Sequence, residues 1–127
     1  VTLSVLAVDD SRTIRDMVRL TLDGAGHRTI VAEDGEHALR ILDDGLPDGL
    51  PRPDLVITDI NMPRLDGIGL IRALRQRPET RLVPILVLST ESAQTLKAQA
   101  RDAGATGWIV KPFDPDRLLQ ALDRVAG

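Results

Sequence analysis

The sequence contains no cysteine. A disulfide scaffold is therefore excluded, as are thiolate zinc sites and thiol redox chemistry. Aromatic residues are almost missing, with one Trp, one Phe and no Tyr. Lysine is scarce: Lys97 and Lys111 stand against fourteen arginines. No apolar run approaches the roughly 20 residues of a membrane span. Residues 1–8 are too short for a signal-peptide core and run straight into acid. The net charge is −3, with both signs mixed along the chain, so no basic footprint for nucleic acid exists. Three phosphate and nucleophile motifs are also missing. There is no G-x-x-x-x-G-K-[ST], no G-x-G-x-x-G after the first apolar run, and no G-x-S-x-G. These absences predict a cytoplasmic protein that neither inserts into a membrane nor binds nucleic acid.

What is present suffices for a full core. Of 127 residues, 43% are apolar, which suits one domain spanning 1–127 without a structural metal. Short apolar runs alternate with amphipathic stretches five times. The runs at 3–8, 29–32, 55–58, 84–88 and 107–110 read as strands. Ile14, Met17, Val18 and Leu22 carry a helical stripe that Gly24 and Gly26 end. Ala38, Leu39, Ile41 and Leu42 carry a second, closed by Gly45; Ile68, Ile71 and Leu74 a third; Ala93, Leu96 and Ala100 a fourth. The last stripe is Leu118, Leu119, Leu122 and Val125, with Asp114 as cap and Pro115 in the first turn. Near-continuous apolar strands joined by helices predict a parallel sheet covered on both faces. Right-handed crossovers make this a doubly wound, flavodoxin-like α/β sandwich. Residues 43–53, DDGLPDGLPRP, form a connection longer than such folds usually need. It reads as a tolerated surface insertion, with a binding loop as the alternative.

Chemistry gathers where the predicted strands run out. Asp9 and Asp10 follow the first, Asp59 the third, Ser89 and Thr90 the fourth, and Lys111 the fifth. Parallel strands share one carboxyl edge, the place where open α/β sheets hold ligands. Adjacent carboxylates repel, and a divalent cation relieves that repulsion. Mg²⁺ needs few protein carboxylates; Asp10, Asp59 and a main-chain oxygen at Asn61 suit it. Asp59 is held by the sheet yet open on one side, as a nucleophile needs. Lys111 offers a compact charge to Asp59 and to a phosphoryl oxygen, and its bond to Pro112 is either cis or trans. Ser89 offers a hydroxyl, and Glu91 a group to position water. Bland roles compete: Asp10 or Ser11 as a cap for the first helix, Thr90 or Ser92 as a cap for the fourth, Lys111 as a surface lysine. His27 and His37 lie away from the strand ends and read as solvated.

Taken together, V-D-D-S at 8–11, I-T-D-I-N-M-P at 57–63 with D-G at 66–67, L-S-T-E at 88–91 and A-G-A-T-G-W-I-V-K-P-F at 103–113 resemble the receiver domains of two-component response regulators. The likeness covers essentially the whole chain and is similar above all to the stand-alone, chemotaxis-type CheY-like members. It implies a (βα)5 fold with strand order 2-1-3-4-5. It implies that Asp59 is the phosphoacceptor. Mg²⁺ would be bound by Asp10, Asp59 and the Asn61 main-chain oxygen, with Asp9 acting through water. Lys111 and Ser89 would contact the phosphoryl group. Ser89 and Trp108 would be the switch pair, Trp108 standing where CheY proteins usually carry Tyr. Asn61 and Glu91 would flank the water that removes the phosphoryl group. The implied partners are a CheA-like histidine kinase and a downstream target such as the flagellar motor switch. A phosphate sink, a phosphorelay or stress-signalling receiver, and a haloacid-dehalogenase-type aspartyl phosphatase are alternatives. The last needs a second Asp two residues after the nucleophile, where this chain has Asn61.

Overall fold

The computed structural model describes residues 2–47, 49 and 52–126. They form five strands and five helices in strict alternation. The strands are β1 (Ser4–Val8), β2 (Arg28–Ala32), β3 (Leu55–Thr58), β4 (Ile85–Ser89) and β5 (Gly107–Val110). The helices are α1 (Arg12–Gly24), α2 (Gly35–Asp44), α3 (Gly67–Gln76), α4 (Gln94–Ala103) and α5 (Pro115–Ala126). All strand pairs are parallel, in the order β2-β1-β3-β4-β5. The predicted doubly wound α/β sandwich is thus the observed one.

Alternate strand residues point to opposite faces, and the core divides accordingly. Leu6, Val8, Val56, Ile85 and Val87 pack with Ala38, Leu70, Ile71, Leu74 and Ala100 beneath α2, α3 and α4. Val5, Ala7, Leu55, Ile57, Leu86 and Leu88 pack with Val18, Leu22, Leu118 and Leu122 beneath α1 and α5. The central strands β1, β3 and β4 are buried throughout, which is why they read as unbroken apolar runs.

Register sets the functional edge. Val8 pairs with Thr58, Thr58 with Val87, and Ser89 with Val110. The ladder continues one step past the strands: the Asp59 amide donates to Val8 O at 3.0 Å, and the Lys111 amide to Ser89 O at 2.8 Å. The residues after β1 and β3 therefore emerge side by side, and Lys111 emerges on the same edge beyond β4.

Helix starts follow side-chain chemistry at α1, α2 and α3. Ser11, Asp34 and Asp66 accept the amides of Ile14, His37 and Gly69. The expected cap of α4 by Thr90 or Ser92 is not seen. Ala93 occupies the cap position and its methyl group accepts nothing; both hydroxyls lie too early in the chain. The Lys111–Pro112 peptide is cis. In the long connection, Leu46 is buried in the core and accepts the Gly49 amide through its carbonyl at 3.0 Å. Residues 48, 50 and 51 of that segment lie outside the described residues.

At the opposite, amino-terminal edge Arg75 of α3 ties loops together. Its guanidinium donates to the carbonyls of Gly104, Thr80, Arg81 and Val83 at 2.7–3.2 Å. Gly104 has φ +121°, and a Cβ there would lie 2.7 Å from the Arg75 side chain. Burial lowers the Arg75 pKa.

Candidate phosphoryl-accepting site

Asp9 leaves β1 turned inward and is buried. One carboxylate oxygen accepts the Ser11 amide at 2.9 Å, and the other accepts Lys111 Nζ at 2.6 Å. Arg15 of α1 donates to the Asp9 carbonyl at 2.7 Å, fixing the turn from below. Ser11 takes the helix cap, leaving Asp10 exposed and uncommitted to it.

Asp59 leaves β3 one strand away. Its Oδ1 accepts the next amide, Ile60, at 2.7 Å, and its Oδ2 accepts Lys111 Nζ at 3.2 Å. Thr58 donates its hydroxyl to the Asp59 carbonyl at 2.8 Å. Gly67 closes the loop that follows, donating to Ile60 O at 2.8 Å. A Cβ on Gly67 would lie 2.1 Å from the Asp59 carbonyl oxygen, so only glycine fits there.

Asp9, Asp10 and Asp59 each offer a carboxylate oxygen, all within 4.8 Å of one another. Burial raises the Asp9 pKa, aided by the Asp59 charge and opposed by Lys111 and the Ser11 amide. Burial pulls the Lys111 pKa down, but the hydrogen bond to Asp9 and the charges of Asp9 and Asp59 override it, leaving the ammonium firmly protonated. Three carboxylates still face one ammonium. An all-oxygen set with surplus negative charge fits a hard divalent cation such as Mg²⁺. Sequence reasoning anticipated the pairing of Lys111 with Asp59. The shorter contact, to Asp9, depends on side-chain geometry that no spacing reveals.

The remaining expected residues lie along β4 and β5. Ser89 is fully buried, and its Oγ accepts the Glu91 amide at 3.2 Å. Trp108 is half-buried, packs against the core, and donates its indole N–H to the Glu91 carbonyl at 2.9 Å. The two residues thus hold the main chain of Glu91 on both sides of its Cα, Ser89 at the amide and Trp108 at the carbonyl. The Glu91 and Asn61 side chains are exposed. His27 and His37 are not simply solvated: both are half-buried, and their Nδ1 atoms accept the amides of Leu3 and Glu33 at 3.1 and 3.0 Å. Arg15, Asp34 and Arg64 were not foreseen. The repeated D-G pairs at 34–35 and 66–67 are the signal that marks two of the turns around the site.

The response regulator receiver domain profile matches residues 5–123. The chain belongs to the response regulator receiver family. Receiver domains are phosphoacceptors rather than ordinary enzymes, and they interact with histidine kinases and downstream effectors. Response regulator MprA of Mycolicibacterium vanbaalenii is 36% identical over 118 residues, 93% of this chain and 48% of that protein. The chain thus spans about half the length of the curated relatives it matches. The structure of Vibrio cholerae chemotaxis protein CheY4 is 42% identical, with a TM-score of 0.89, over 98% of this chain and 99% of that one. The receiver domain of sensor histidine kinase PA1611 from Pseudomonas aeruginosa, with magnesium coordinated in its active-site cleft, is 27% identical with a TM-score of 0.87, over 100% of this chain and 99% of that one. Among the described residues no helix is long and apolar enough to cross a membrane.

Proposed function

We propose that this receiver accepts a phosphoryl group on Asp59 from a phosphohistidine of a histidine kinase, in a Mg²⁺-dependent reaction. The observation that carries the reading is Lys111, whose ammonium touches both Asp9 and Asp59 beside a third carboxylate. A carboxylate oxygen of Asp59 forms the new bond to phosphorus while the phosphorus–nitrogen bond to the imidazole breaks. Catalysis here is positioning and charge neutralisation. Asp10, Asp59 and the Asn61 main-chain oxygen would hold Mg²⁺, with Asp9 acting through water; the bound metal supplies charge against the incoming phosphoryl oxygens. Lys111 supplies the remaining positive charge. The Ile60 amide holds one Asp59 oxygen in place.

The added charge also drives the output. Ser89 would leave the Glu91 amide to donate to a phosphoryl oxygen. That loosens the main chain at Glu91, whose carbonyl accepts the Trp108 indole, and reshapes the face of α4, β5 and α5. Asn61 and Glu91 would position the water that ends the signal, giving a phosphoryl lifetime of seconds to minutes. The likeness to CheY4 over nearly the full length of both chains favours a CheA-like kinase, a motor-switch target and a single receiver domain over 1–127. A receiver acting outside chemotaxis, as a phosphate sink or in a phosphorelay or stress circuit, is the second reading; the 36% identity to response regulator MprA supports a role outside chemotaxis without choosing among these.

The test is labelled phosphate transfer from a phosphorylated kinase with Mg²⁺. Wild type should take up label and Asp59→Ala none; undiminished labelling of the variant ends the proposal. Trp108 fluorescence should respond separately to Mg²⁺ and to later beryllofluoride.

A further inference from the structure

We infer that Asp34 and Arg64 form a positioning clamp for the loop after β3, a role that rests on the phosphoacceptor reading above. Arg64 is the non-glycine residue with positive φ among the described residues, at +65°. A side chain disfavours that conformation, and such outliers persist where surroundings over-determine them. Here the surroundings are the start of α2. The Arg64 guanidinium is bonded to Asp34, whose side chain is completely buried while Arg64 remains half exposed. The neighbouring residue is held as well: the Gly35 amide donates to Leu65 O at 3.1 Å. A Cβ on Gly35 would lie 2.7 Å from that oxygen, so the two backbones are in direct contact.

Helix capping does not explain this arrangement. Asp34 already caps α2 through its other oxygen, which accepts the His37 amide at 2.8 Å. Asp66 caps α3 and Ser11 caps α1, and among the described residues no cation is attached to either. Among the described residues only the Asp34 cap recruits an arginine, and that arginine comes from the loop carrying Asn61. The loop is anchored at its base by Gly67, which donates to Ile60 O. Between base and clamp lies Asn61, whose main-chain oxygen is the proposed metal ligand. The clamp fixes the far side of that span. It would preset the ligand oxygen before the cation arrives, as outer partners do at metal sites.

Two substitutions separate this role from plain stability. Arg64→Gly relieves the backbone conformation while removing the clamp. Asp34→Asn keeps an oxygen for the His37 amide while removing the charge. Calorimetric Mg²⁺ titration, thermal midpoints and amide exchange of Gly35 without metal are measured for both and for wild type. The expected result for Arg64→Gly is a thermal midpoint close to wild type, the relieved backbone offsetting the lost ion pair, with faster Gly35 exchange and Mg²⁺ affinity lower by about tenfold. Asp34→Asn should lose affinity in the same direction, and Arg64→Lys should recover part of it. Wild-type Mg²⁺ affinity in both clamp variants overturns the inference alone. A wild-type protein that binds no Mg²⁺ overturns the phosphoacceptor reading, and this one with it.

Discussion

The two ends of the sheet each hold a cationic side chain, and they use it in opposite ways. At the amino edge Arg75 spends its donors on four main-chain carbonyls. Those groups are neutral, each is satisfied, and nothing further is required of the site. At the carboxyl edge Lys111 faces three carboxylates that it cannot neutralise. Burial lowers the Arg75 pKa, whereas the carboxylates raise that of Lys111 against the pull of burial. A balanced set of this kind stabilises a fold. An unbalanced one costs stability and stores the capacity to bind.

Substitutions can break this contrast. Lys111→Met should slow phosphorylation from a small phosphodonor by on the order of a hundredfold, measured as the rate of label incorporation. It should also tighten Mg²⁺ binding, since the ammonium competes for the same carboxylates. Loosened binding would mean that Lys111 chiefly supports the local structure. Arg75→Met should lower the unfolding free energy by about 3 kcal/mol in urea titration and leave Mg²⁺ affinity unchanged. Mg²⁺ at a hundred times its dissociation constant should add about 2.7 kcal/mol to unfolding, in wild type and Arg75→Met alike. Equal stabilisation of Asp59→Ala would contradict the assigned ligands.

A smaller effect concerns pH. Burial raises the Asp34 pKa, but the His37 amide and Arg64 more than offset it, and the net shift is downward. A carboxylate with a lowered folded pKa stabilises the fold above the ordinary aspartate range. That contribution fades as the pH falls through the folded value. Thermal midpoints of wild type and Asp34→Asn should therefore differ at neutral pH, by the equivalent of about 1 kcal/mol, and converge in acid. Curves that stay parallel would show that Asp34 does not act through its charge.

The sheet and the acidic crevice could be read in the sequence because both depend on short-range pattern. Buried parallel strands show as apolar runs, and whatever follows each run must reach the same edge. That logic brings Asp59 and Lys111, 52 positions apart, to one edge. What escaped depends on side-chain reach across loops. No spacing shows that Lys111 sits nearer Asp9, that Arg64 crosses to Asp34, or that Arg75 gathers carbonyls from two connections. The α4 cap failed for a related reason. Hydroxyls at 90 and 92 are good cap chemistry, but the helix begins where Ala93 turns, and Ser89 takes the Glu91 amide instead.

Gly67 has one more implication. With main chain on both sides of the contact, a methyl group there finds no side chain able to swing aside. Whatever displaces the first turn of α3 is passed directly to the backbone oxygen of Asp59. Helix and proposed phosphoacceptor are thus geared together, so a partner pressing on α3 would retune the proposed chemistry without ever entering the cleft.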